Sequence, residues 1–120
     1  MNATISKDEF LYRGVIELNW DYHNNRPTSA VFKDSKGVSV DRDNFRQEID
    51  CVDFLLSKKH FFAVCKIQTK KIFELDAIAK YLPIEDNEFH SEIHDSSEKV
   101  QMRGKKPEKI RNASKVVYTI

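Results

Sequence analysis

The run His60-Phe61-Phe62-Ala63-Val64-Cys65-Lys66-Ile67 limits what this chain can fold into more than any other segment. It is aromatic and β-branched, too short for a stable helix and far below the ~20 apolar residues of a membrane span. It therefore reads as the central, most buried strand of a sheet. Just before it, Phe45, Ile49, Val52 and Leu56 recur at spacings of four, three and four with charged residues between them. That is the period of an amphipathic helix, with Asp43 as its N-cap and Lys58 and Lys59 at its negative pole. A helix laid against a buried strand implies one core, and 120 residues are enough for one core but not two.

The remaining elements follow the same logic. Phe10 to Leu18 roughly alternates, with Gly14 breaking the phase, which suggests a strand bulged at that glycine. Trp20 to Thr28 is a polar loop ending at Arg26-Pro27. Ser29–Lys33 and Val38–Asp41 read as a hairpin around Asp34-Ser35-Lys36-Gly37. Ile72, Leu75, Ile78, Ala79 and Leu82 keep helical spacing up to Pro83, and Phe89 to Asp95 alternates as a strand. Pro107 opens a helix over about 107 to 115, and Val116–Ile120 is a terminal strand. The expectation is a small single α+β domain over residues 9–120, preceded by a loose leader over 1–8. Its sheet is mixed or antiparallel, with about five strands and two or three helices.

Charge is even overall, with 20 Lys+Arg against 19 Asp+Glu. No secretory pattern opens the chain, so a cytoplasmic, non-membrane protein is expected. Cys51 and Cys65 lie in apolar stretches without metal-knuckle spacing and read as buried thiols, and the glycosylation triplet at Asn112 has no export route to use it. Locally the balance breaks. Residues 85–98 hold six acids and no Lys or Arg, whereas residues 99–120 hold seven basic residues against Glu108 alone. A basic tail can neutralise phosphates of a nucleotide or nucleic acid, or the two stretches can lie together and screen one another.

His90-Ser91-Glu92-Ile93-His94 is the sharpest constellation, because residues two apart on a strand share a face. His90 can then act as a general base with Glu92 as its orienter or acid. A metal is the weaker reading, since ligands at both ends of that strand stand about 13 Å apart. Arg26, Ser29 and Lys33, near the proposed hairpin, carry the chemistry that holds an anionic oxygen, and Gly104-Lys105-Lys106 precedes a helix start as a small phosphate cradle would. No cofactor motif of the hydrolase, metallopeptidase or dinucleotide kinds is present.

Leu11-Tyr12-Arg13, Arg26-Pro27-Thr28-Ser29-Ala30-Val31-Phe32-Lys33, Gly37-Val38-Ser39-Val40-Asp41, Asn87 with His90, Glu92 and Ile93, and Gly104-Lys105 together resemble a family of small uncharacterised bacterial proteins. That family has Arg-x-Ser-Ser-x-x-Phe, Ser-Val-Asp and His-x-Glu-Ile blocks in this order. Thr28 and Ser91 depart from its pattern. The resemblance implies that Arg26, Ser29, Asp41, His90, Glu92 and Lys105 form one recurrent set, and it brings no activity. The expected function is binding of a phosphorylated ligand, nucleotide or nucleic acid through Arg26, Ser29, Lys33 and Lys105. The alternatives are a metal-independent, ribonuclease-like phosphodiesterase using His90 and Glu92, or an accessory or immunity-type subunit presenting Trp20, Tyr22 and Phe89 to a protein partner.

Overall fold

In a computed structural model, which describes all of residues 1–120, six strands form one antiparallel sheet: β1 (Phe10–Val15), β4 (Val38–Arg42), β5 (Ala63–Gln68), β6 (Ile78–Tyr81), β7 (His90–His94) and β8 (Lys115–Thr119). A separate two-stranded ribbon pairs β2 (Trp20–Asp21) with β3 (Arg26–Pro27). The order across the large sheet is β6-β7-β4-β1-β5-β8. Three helices accompany it, α1 (Glu48–Lys58), α2 (Thr69–Glu74) and α3 (Lys106–Ala113). The α+β expectation is met, with six strands in the main sheet instead of about five.

Strand alternation divides the sheet into two faces, each covered. Leu11, Val15, Val38, Val40, Ala63, Cys65, Ile67 and Ile93 turn to one side and pack with Ile72 of α2, Ile110 of α3 and the buried Val31 and Phe32. Tyr12 and Val64 turn to the other and pack with Cys51, Val52 and Leu55 of α1. No helix is long and apolar enough to cross a membrane.

Several expectations require correction. β5 is deeply buried but lies one place in from the edge, and β1 and β4 are central. β1 runs without a bulge at Gly14, and the extra residue falls in β8, where Val64 faces Tyr118 but Cys65 faces Val116. Ser29–Phe32 is a 3-10 turn, so there is no hairpin with β4. The helical spacing from Ile72 to Leu82 is split: α2 ends at Glu74, Asp76 takes a left-handed φ of 62°, and the chain leaves as β6.

Asp43 is not a helix cap. Its carboxylate accepts the N–H groups of Phe10 and Phe45 in a turn where Asn44 and Phe45 both have positive φ. Helix α1 begins five residues later, which leaves Phe45 and Ile49 exposed and places Cys51, Val52 and Leu55 inward. The first eight residues contain no helix or strand, yet they are tied down rather than loose. Ile5 is buried, and Arg42 donates to the carbonyls of Asn2 and Thr4 while pairing with Glu9 at 2.7 Å.

Candidate functional site

Strands β1 and β4 pair only at Leu11↔Arg42 and Tyr12↔Asp41 and then separate. The gap is held by Arg13, whose guanidinium donates to the carbonyls of Val31 at 2.9 Å and Ser39 at 2.7 Å in place of ladder hydrogen bonds. At the same level Gly14 lets the ring of Phe61 lie directly against β1, where any Cβ would collide with it. Above this opening the end of α1 supplies Leu55, Lys58 and Lys59. The result is a cavity of about 410 Å³, of a size that admits a small organic ligand.

The floor comes from two adjacent strands. Val38 and Val40 point into the core, so Ser39 and Asp41 point to the opposite face. Register sets Asp41 opposite His90 and Ser39 opposite Glu92. Asp41 is only 3% exposed, and its Oδ1 accepts from Asn87 Nδ2 at 2.8 Å. Its Oδ2 has no partner. Burial raises the Asp41 carboxyl above its usual range, while the Asn87 hydrogen bond and the charges of Arg46, His90 and Lys58 pull the other way. Asn87 is itself fixed by a tight pairing with Ile84 and by accepting the Phe89 N–H.

His90 is held at both ring nitrogens. Nδ1 lies 2.7 Å from the Leu82 carbonyl, so that nitrogen carries a proton. In the neutral ring Nε2 then presents its lone pair to Ser39 Oγ, 3.2 Å away. Lys58 and Lys59 take part in no ion pair; Lys58 donates to the Asp86 carbonyl, and Lys59 stands over the Phe61 ring.

The sequence-derived residues are dispersed. His90 and Glu92 share a face as expected, but Glu92 bonds His94 Nε2 at 2.8 Å and does not orient His90. Arg26 lines a second cavity of about 300 Å³ with Arg111, Asn112 and Ser114. Ser29, Lys33 and Lys105 line neither cavity, so the expected common hollow for Arg26, Ser29, His90 and Lys105 does not form. Trp20 is buried against Phe62, and Phe89 is half-buried beneath the Arg46 guanidinium; of the three aromatic residues expected at a partner surface only Tyr22 is exposed. The acidic and basic stretches meet at Asp95, which holds both Arg103 and Lys106.

Burial pushes the thiols of Cys51 and Cys65 up to about 11 and about 12, which disfavours the nucleophilic thiolate at neutral pH. No group of three or more His, Cys, Asp or Glu side chains is arranged to hold a metal ion. In the sequence reading Ser39 and Asn87 had no site role, and Lys58 and Lys59 counted only as charges at a helix end. The signal for the first was the alternation Val38-Ser39-Val40-Asp41, which puts a hydroxyl and a carboxyl two residues apart on one face. Against family models, curated proteins and solved structures the chain shows no match.

Proposed function

We propose that this protein binds a small phosphorylated ligand of nucleotide size in the cavity where β1 and β4 separate beneath the end of α1. The observation that carries this reading is that Asp41, a buried carboxyl whose Oδ2 has no partner, is among the residues lining an open cavity edged by two lysines outside any ion pair. A buried carboxyl oxygen without a partner costs roughly 1–3 kcal/mol, and a ligand N–H or O–H removes that cost. Lys58 and Lys59 suit the anionic end of such a ligand, and the Phe61 ring suits a flat apolar portion. Arg26, Ser29, Lys33 and Lys105 have no part in this reading.

Calorimetric titration with the common nucleoside 5′-monophosphates tests it. Binding is expected to weaken with salt and to fall about fivefold in Lys59→Ala, as loss of one charge-assisted contact implies. Asp41→Asn should weaken the nucleotide while leaving the response to inorganic phosphate unchanged. Absence of binding, or binding indifferent to both substitutions, contradicts the proposal.

A further inference from the structure

Ser39 and His90 have the relation of a nucleophile to its base. The Ser39 hydroxyl is on an exposed residue, its Oγ lies 3.2 Å from Nε2 of His90, and Nδ1–H of the same ring is anchored at 2.7 Å on the Leu82 carbonyl. A hydroxyl, an imidazole and a third group fixing the imidazole's tautomer make up the arrangement that activates a serine. Here a backbone carbonyl takes the third position. Such an acceptor cannot lose its lone pair to protonation, so the ring stays oriented as it gains charge. Asp41, the direct cross-strand neighbour of His90, adds a carboxyl beside the developing imidazolium. Both partners line the cavity in which the lysines stand.

We propose that Ser39 is a catalytic nucleophile with His90 as its general base, and that the site hydrolyses a phosphate ester. The inference rests on the ligand class proposed above for its substrate. Ser39 Oγ attacks phosphorus, forming the Oγ–P bond while the P–O bond to the alcohol breaks; the Oγ proton passes to His90 Nε2 and from there to the departing alkoxide oxygen. Water then attacks the phosphoserine, gives its proton to the same nitrogen, and Oγ leaves and recovers it. The sum is ester plus water giving alcohol plus phosphate.

A fluorophosphonate probe tests the nucleophile directly, because its P–F bond is displaced by an activated serine without any need for ligand binding. With the full chain, peptide mass analysis is expected to find the adduct on Ser39. No adduct should form at that position in Ser39→Ala, and the labelling rate should fall about 100-fold in His90→Gln, the scale of a lost general base. Should His90→Gln not fold, the wild-type labelling rate must still rise with pH through one ionisation. An unmodified Ser39 in folded protein, an unchanged rate in folded His90→Gln, or a flat pH profile overturns the proposal. A nucleotide titration beside it separates the two readings. A chain that binds nucleotide but leaves Ser39 unmodified loses only the nucleophile; one that takes the adduct on Ser39 without binding nucleotide keeps the nucleophile and loses the ligand class.

Discussion

At the scale of single residues, Asp41 and Arg13 act in opposite directions on folding. Asp41 is a buried carboxyl whose Oδ1 accepts from Asn87 while its Oδ2 goes without a partner. Asp41→Asn is therefore expected to raise the stability measured by urea unfolding at neutral pH by about 1 kcal/mol, while costing ligand affinity. Because burial raises the folded-state pKa, ionising Asp41 opposes folding, so wild-type stability declines as pH rises from the ordinary carboxylate range through the folded value. The gain from Asn should accordingly shrink at low pH. Arg13 does the reverse, tying the Val31 carbonyl of the 3-10 turn to the Ser39 carbonyl of β4. Arg13→Ala should cost about 2–3 kcal/mol, and Arg13→Lys should restore only part, since an ammonium lacks the fork that reaches both oxygens. His90 was visible in the sequence because alternation alone put it on a polar face. Its true partners were not, since Leu82 and Ser39 are eight and fifty-one positions away and only strand pairing unites them.

At the scale of elements, period and turn chemistry carried most of the information. β1, β4, α1, β5, β7, α3 and β8 all lie where composition, apolar spacing or a helix-opening proline indicated, with α1 starting five residues late. The failures have physical causes. The segment from Ile72 to Leu82 has helical spacing throughout, but Asp76 enters the left-handed region without a glycine to announce it, and β7 offers an open edge for the following residues to pair with. Phe45 and Ile49 extended the apolar stripe of α1 in sequence, yet Phe45 falls in the turn before the helix and Ile49 lies outside the face formed by Cys51, Val52 and Leu55. Gly14 was read as a bulge and is instead a site of close approach. Gly14→Ala should destabilise by about 1–3 kcal/mol in thermal or urea unfolding, the cost of overpacking against the Phe61 ring, and Gly14→Ala with Phe61→Leu should recover much of the loss.

At the scale of the whole molecule, two carboxylates fix distant parts of the chain to one another. Burial pushes the Glu9 carboxyl up, but hydrogen bonds from Arg42 and from the Ser6 and Asn44 N–H groups prevail and hold it below its ordinary value. Asp95 is held down to about 2, chiefly by the Arg103 N–H, with the Arg103 and Lys106 side chains adding to it against burial. Both folded-state pKa values lie below the unfolded ones, so this stabilisation is complete above roughly pH 4–5 and is lost as pH falls through the folded values. Unfolding followed across that range should show wild type losing stability toward about pH 2, with a shallower slope in Asp95→Asn. Where residues 85–98 give way to residues 99–120, Asp95 joins the acidic stretch to the basic one through Arg103 and Lys106. The site was least legible at this scale, because a cavity exists only once β1 and β4 have separated and α1 has come down beside them. Amide chemical shifts followed by NMR, as the common nucleoside 5′-monophosphates are added in turn, test its assignment most directly. The account predicts perturbations at Ser39, Asp41, Asn87 and His90, with Arg26, Arg111 and Ser114 unmoved; changes centred on the Arg26 and Arg111 cavity, or none with any nucleotide, would contradict it.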